Sequence, residues 1–353
     1  MKTVFKKIKR TYICKDVKDY LVESENCDNY KPVVGDVAVF EVLEIGKHQS
    51  IQGENKRNVA IVPGDLIMGA FGTRYATEQF EGYVPENINM ELHILGAGGT
   101  VGKIASMHER YEDIGPTTLR FSGFVKNRFN QIVNTKTIKQ KQLLSFSGTA
   151  ATASRIVLSL GSSMDSGKTT SAAYLIHGLK ESGYQVAYVK LTGTVYTKDC
   201  DLATDLGADA VSDFSDFGYP STYMCNVDEL LDLYESCIAL VLKANPDFVI
   251  MEIADGLYQR ETKLLLNSAK FKQTIDSVIF SANDSLAAIS GVQTLNQQKL
   301  YPSFLSGLFT CSPLLIREVQ ENTTVPVFTK EDLLKTEIVC NFFSEMKVYT
   351  SNL

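Results

Sequence analysis

The residues best suited to chemistry stand together in one stretch, RIVLSLGSSMDSGKTTSAAYLIHGLKESGYQVAYVKL, which runs from Arg155 to Leu191. Gly167, Lys168 and Thr169 form the Gly-Lys-Thr end of the phosphate-binding pattern G-x-x-x-x-G-K-[ST]. Such a loop works because successive backbone N–H groups converge on an anion at a helix N-terminus, where the helix dipole adds positive potential. Gly167 supplies a close approach to phosphate, Lys168 reaches the β- and γ-phosphates, and Thr169 offers a hydroxyl to Mg²⁺. The first glycine is displaced by one place. Ser162 stands where the strict pattern has glycine, so Gly161 takes the turning role, with five residues (Ser162, Ser163, Met164, Asp165 and Ser166) between it and Gly167. These residues and Thr170 are the expected nucleotide contacts, and Asp165 is placed to orient a lysine or the attacking group.

A loop of this kind needs a strand before it and a helix after it, and the flanking sequence reads that way. RIVLSLG is an apolar run suited to a buried parallel strand, and TTSAAYLIHGLKESG is a helix closed by Gly183. QVAYVKL is the next strand. VDELLDLYESCIALVLKANP carries Leu230, Leu231, Tyr234, Ile238 and Leu242 at helical spacing and stops at Pro246. FVIMEIA, SVIFSAN, SGLFTC and VPVFT read as further strands. Alternating strands and helices predict an α/β fold, a parallel sheet with helices on both faces, over residues 146–353. Residues 1–145 read differently. DVAVFEVLEI, DLIMGAF, GKIASM and LRFSGFV are short β segments separated by Gly, Pro and Asn turns, which a small barrel or sandwich would close. GAGGTVG, Gly96 to Gly102, lacks the third glycine of a dinucleotide fingerprint, where Val101 stands, and reads as a turn or bulge. The polar stretch KNRFNQIVNTKTIKQKQ leads into the boundary.

The spacing of a glycine, five residues and Gly-Lys-Thr after a first strand resembles the loop of dethiobiotin synthetase and its relatives in the SIMIBI class of P-loop NTPases. The order of later motifs continues the resemblance through the second half of the chain. It implies that Lys190, which ends QVAYVKL, lies near the γ-phosphate. It further implies that Asp201 in KDCDLATDLGA and Glu252 in VIMEIADG hold the metal, and that position 310, an adenine-reading asparagine in many relatives, is Thr310 here. The implied ligands are ATP and Mg²⁺, with catalytic roles for Lys168, Lys190, Asp165 and Glu252. Independently of the family, a carboxylate ending an apolar strand is costly unless it is paired or bound to metal, which favours a role for Glu252. Asp201 has a plainer reading, as one of the acids Asp199, Asp201, Asp205 and Asp209 on a solvated helical face. The small residues that follow the glutamate in relatives are replaced by IADG, which adds Asp255.

Composition narrows the functions. Net charge is −6 and the pI about 5.4, so no global positive field draws the chain to nucleic acid or anionic lipid. The basic stretches KTVFKKIKR, KNRF and KTIKQKQ lack an aromatic stacking ladder and read as solvated faces. No apolar run approaches a membrane span, and a cytoplasmic location is expected. Cys14, Cys27, Cys200, Cys225, Cys237, Cys311 and Cys340 are odd in number and scattered, as reduced thiols would be. The leading expectation is an enzyme that uses MgATP to activate or phosphorylate a small carboxylate- or carbamate-bearing acceptor, with a homodimer as the candidate assembly. Its acceptor contacts are expected from TGTVYTKDCD, DFGYPSTY and ADGLYQRET. The alternatives are a nucleotide-hydrolysing switch acting on a protein partner, a polynucleotide kinase, disfavoured by the acidic pI, and an acyl- or group-transferase that keeps the loop for a nucleotide-like ligand.

Overall fold

A computed structural model describes residues 7–24, 30–337 and 339. Cys27, Cys340 and the first five residues of the basic N-terminal stretch lie outside them. The chain divides into two compact units: Met1–Leu143 with Gly193–Thr197 and Phe214–Met224, and Leu144–Thr192 with Lys198–Asp213 and Cys225–Leu353.

The first unit is a β-barrel. Its strands β1 (Val37–Glu44), β2 (Leu66–Phe71), β3 (Leu92–Gly96), β4 (Thr100–Met107) and β5 (Thr118–Lys126) pair in the order β1-β2-β4-β3-β5. β5 then pairs back onto β1, so the ring closes. Every pairing in the ring is antiparallel except β2 with β4. Alternation puts Ala38, Phe40 and Val42 of β1 into one core with Ile67, Phe71, Leu92, Ile94, Val101 and Leu119. A register shift between Phe121 and Gly123 brings both Phe121 and Phe124 to that core, and Gly123, at φ +149°, takes the bulge. Gly96–Thr100 is the turn from β3 to β4 that the failed dinucleotide fingerprint implied. Short strands at Ile8–Arg10, Leu21–Glu23, Ser50–Gln52, Asn58–Ala60, Arg74–Tyr75 and Phe80–Tyr83 complete the unit. Most of these are too short to show a period of two in sequence.

The second unit is a six-stranded parallel sheet flanked by helices. Its strands are β6 (Arg155–Gly161), β7 (Val186–Lys190), β8 (Ala210–Asp213), β9 (Phe248–Glu252), β10 (Ser277–Ser281) and β11 (Pro302–Ser306), ordered β8-β7-β9-β6-β10-β11. Its longer helices are α1 (Lys168–Glu181), α2 (Lys198–Asp205), α3 (Val227–Val241), α4 (Arg260–Asn267), α5 (Ser285–Gln297) and α6 (Pro313–Asn322). An Asn226–Glu229 capping box opens α3, whose Leu230, Leu231, Tyr234 and Ile238 are buried as their spacing predicts. Two strand assignments need correction. SGLFTC contributes only Ser306 to β11, and Leu308–Cys311 turns into a 3₁₀ helix because Gly307, at φ +108°, ends the extended run. VPVFT makes a single bridge, Leu305 to Val327, its strand character reduced by Pro326. Among the described residues no helix is long and apolar enough to cross a membrane, and Cys14, Cys200, Cys225, Cys237 and Cys311 are not in disulfides.

Candidate nucleotide site

Each strand of the sheet changes character within one step of two residues at its carboxyl end. Val211, Tyr188, Ile250, Val157, Ile279 and Phe304 join one apolar cluster with Leu175, Ile176 and Leu179 of α1. Two residues further along the same strands, and so on the same face, stand Asp213, Lys190, Glu252, Ser159, Ser281 and Ser306. Register places Lys190 opposite both Asp213 and Glu252, and Glu252 opposite Ser159. The apolar row packs α1, while the polar row lies at the carboxyl ends of the strands, where open parallel sheets bind ligands.

The loop from Gly161 to Gly167 ends in α1, with Gly167 at its N-cap in the left-handed region (φ +95°). A Cβ on Gly161 would lie 2.3 Å from Ser166 Oγ and 2.6 Å from Lys168 Cγ, so the loop folds back directly over this position. Gly161 is the last residue of β6, and the space for a side chain there is taken by Ser166 and Lys168. Two other glycines wall the loop. A Cβ on Gly256 would lie 2.3 Å from the Ser162 carbonyl oxygen, and one on Gly307 would lie 2.5 Å from that of Ser166. The Leu308 N–H donates to the same Ser166 oxygen at 3.2 Å, and the Ser162 N–H donates to Ser281 O at 2.9 Å.

Lys168 is 5% exposed and donates through Nζ to Ser163 O at 2.6 Å. Burial lowers its pKa, and Glu252 and Asp255 partly oppose that shift. Thr169 Oγ1 donates to Glu252 Oε1 at 3.1 Å, and Tyr188 OH donates to Glu252 Oε2 at 2.9 Å. Glu252 is 2% exposed. Burial and the Glu252 charge push the Tyr188 phenol well above its ordinary value, which keeps it a neutral donor. Lys190 forms an ion pair with Asp199 of α2, two residues before Asp201. Asp165 is exposed at the loop tip with φ +58°, and Thr170 is exposed on the first turn of α1. Met164, just before Asp165 in the loop, is half-buried. Thr310 donates to Gly307 O at 2.8 Å.

A phosphate chain with Mg²⁺ fits these groups. The buried hydroxyls Ser162 Oγ, in the loop, and Ser159 Oγ, in the polar row, have no hydrogen-bond partner among the described residues. Both can donate to phosphate oxygens. The Thr169 hydroxyl and Glu252 carboxylate are the hard oxygen ligands Mg²⁺ takes, with water and phosphate supplying the rest. Among the described residues no cluster of three His, Cys, Asp or Glu side chains forms a protein-only cage. Sequence reasoning missed Ser159, Tyr188, Asp199, Gly256 and Gly307. The step from apolar to polar at the end of every strand was the signal that could have found the first two. Of the expected acceptor loops, Gly193–Thr197 and Phe214–Met224 pack within the barrel unit, with Gln52 Nε2 donating to Thr197 Oγ1 at 2.7 Å and Thr100 Oγ1 to Pro220 O at 2.9 Å.

A strand, a glycine-bounded loop ending in Gly-Lys-Thr, and a helix starting at that lysine define a P-loop nucleotide-binding domain. No protein-family model matches the chain, and no curated protein matches it. Among solved structures it is similar to the GDP complex of the signal recognition particle 54 kDa protein of Aeropyrum pernix K1, at 16% identity and TM-score 0.38 over 55% of this chain. That match spans 49% of the other protein, about half its length. A DUF1611 family protein from Anabaena variabilis matches at 15% identity and TM-score 0.41, covering 57% of this chain and 61% of that one. The hydrogenase maturation factor HypB of Archaeoglobus fulgidus matches at 11% identity and TM-score 0.35, covering 62% and 97%. The assignment to a P-loop domain stands on the loop, the strand and the helix.

Proposed function

We propose that the α/β unit binds ATP with Mg²⁺ and that the chain transfers the terminal phosphoryl group to a small acceptor bearing a carboxylate or carbamate, in the manner of dethiobiotin synthetase-like enzymes. The observation that carries this reading is the joined set Lys168–Thr169–Glu252, a buried cation, hydroxyl and carboxylate at the mouth of a P-loop. When bound, Mg²⁺ would neutralise charge on the phosphate oxygens. The chain's own residues do the remaining work. The loop N–H groups and Ser162 hold the phosphates, and Lys168 exchanges Ser163 O for a phosphate oxygen. Tyr188 fixes Glu252, and Lys190 supplies positive charge beside it as charge develops in transfer.

A second reading has one observation in its favour. Both Glu252 oxygens already accept hydrogen bonds, from Thr169 and Tyr188, so the carboxylate is satisfied without metal. That suits a group-transferase that holds the diphosphate of an acyl carrier in the same loop. A thermal-shift screen of small carboxylates with a non-hydrolysable ATP analogue and Mg²⁺, followed by turnover with the hits, tests the proposal. Acceptor-dependent ADP release supports phosphoryl transfer. Binding of an acyl-carrier diphosphate that is indifferent to Mg²⁺, with no ATP turnover, would replace it with the second reading. Hydrolysis stimulated only by a protein partner would point to a switch.

A further inference from the structure

The barrel unit contains a lysine that no described carboxylate pairs with. Lys47 follows β1, and its backbone N–H is fixed to Gly115 O at 2.9 Å. Its Nζ lies 5.1 Å from the centre of the Phe80 ring and 5.3 Å from that of Tyr111. It donates to Gln79 Oε1, the same oxygen that accepts from Arg74 Nη2 at 2.6 Å. Among the described residues Lys47 forms no ion pair. The nearby carboxylate, Glu78, is engaged by Arg110 and lies 3.8 Å from His108. His48, next in the chain, is 8% exposed with no partner for Nδ1, and burial beside Lys47 and Arg74 lowers its pKa well below the ordinary value, so it is neutral.

A lysine placed only for packing against Phe80 and Tyr111 would be served by an apolar side chain, and one placed for charge would have a carboxylate opposite. Lys47 has neither arrangement. Burial and the charges of Arg74 and Arg110 lower its pKa to about 7. With Gln79 Oε1 held by two cations, the unpartnered groups are donors: the remaining Lys47 N–H bonds and the Gln79 amide N–H₂. The two rings provide an apolar wall beside them.

We propose that the Lys47 ammonium and Gln79 amide bind the carboxylate group of a small organic acid, one oxygen to each, with the acid's apolar part against Phe80 and Tyr111. Arg74 is committed to Gln79 Oε1 and Leu95 O, and Arg110 to Glu78, so one cation and one neutral donor remain beside the aromatic wall. These match a monoanion with an apolar body better than inorganic phosphate, which favours several donors or cations.

The test uses the full chain with benzoate as probe and inorganic phosphate as comparator. Lys47 is acylated with a lysine-reactive reagent at pH 7.5 and read by peptide mass spectrometry, while affinity is measured by calorimetry. Benzoate should protect Lys47 at least tenfold more than phosphate does. Between pH 6.5 and 8.5 the ammonium fraction of a group with pKa about 7 falls about twenty-five-fold, and benzoate affinity should fall with it. Lys47→Met should weaken benzoate at least tenfold, whereas Lys243→Ala, at an exposed position of the other unit, should leave it unchanged. Acylation of wild-type Lys47 that benzoate does not slow overturns the proposal, whether or not the Lys47→Met chain folds. Equal or better protection by phosphate overturns the carboxylate assignment.

Discussion

Gly161→Ala tests whether the early glycine performs the turn of the phosphate loop. The new methyl carbon would lie 2.3 Å from Ser166 Oγ, 2.6 Å from Lys168 Cγ and 2.7 Å from Lys168 Cδ, whereas ordinary contacts begin near 3.4 Å. Each atom must therefore retreat by about 1 Å, a large displacement in close-packed surroundings. Ser166 is fully buried and Lys168 is 5% exposed, so neither side chain can swing into solvent. Overpacking of this kind costs about 1–3 kcal/mol. The cheapest relief moves the Lys168 stem, which takes Nζ from its place beside Ser163 O. If most of that cost falls on the binding-competent loop, MgATP affinity drops roughly five- to a hundredfold. Titration calorimetry measures it, with a thermal melt in parallel. Gly183→Ala is the control: at φ +87° with nothing within 4 Å of the added carbon, it should cost about 1 kcal/mol in backbone strain and leave affinity alone. A Gly161→Ala protein that keeps wild-type affinity and melting temperature refutes the assignment of the turn to Gly161.

Lys168→Met should lower nucleotide affinity roughly ten- to a hundredfold, the scale of a charge-assisted hydrogen bond, and leave Tm unchanged or higher. The sign follows from its lowered pKa: at neutral pH the protonated amine is less favourable folded than unfolded, and this cost shrinks as pH rises through the folded pKa. A large fall in Tm would make the lysine a structural element. Glu252→Gln should suppress turnover by about two orders of magnitude and weaken Mg²⁺ dependence, while Tyr188→Phe should shift the Mg²⁺ requirement with a smaller loss of kcat. Unchanged metal titrations in both variants would remove the carboxylate from the site. Lys190→Ala should lower kcat strongly with ATP affinity within a few-fold of wild type, and a variant with unaltered kcat would leave Lys190 as the partner of Asp199 alone.

Long elements with a clear period were legible in the sequence. The α/β alternation, the loop helix and the capped helix at Val227–Val241 follow from apolar spacing, and four of the five barrel strands were read from their apolar runs. Elements set by partners were not legible. Ala210–Asp213 is four residues long and joins the sheet edge by pairing with Val186–Lys190 alone, so nothing local marks it as a strand. Leu308–Cys311 has strand-like composition, yet the left-handed Gly307 and the contact of Leu308 with Ser166 O turn it into a 3₁₀ helix. Ion pairing is likewise a tertiary property. The acid that meets Lys190 is Asp199, one of four similar acids between positions 199 and 209, and no local pattern distinguishes it from Asp201.

The extra residue in the loop is accommodated because the walls around it, and not the motif alone, determine its path. Gly256 follows β9 and Gly307 follows β11, on either side of β6 in the sheet order, and each brings backbone against a loop carbonyl where a side chain would not fit. Between them the polar row begins one two-residue step after the core ends. The chemistry of Lys190 and Glu252 is thus held by the same strand register that buries Tyr188 and Ile250. A one-residue slip of β9 would turn Glu252 to the opposite face and bring Met251 or Ile253 toward Thr169. The stability of the sheet and the placement of the site are therefore one constraint. Variation in the loop between Gly161 and Gly167 is tolerable in a way that variation in strand register is not.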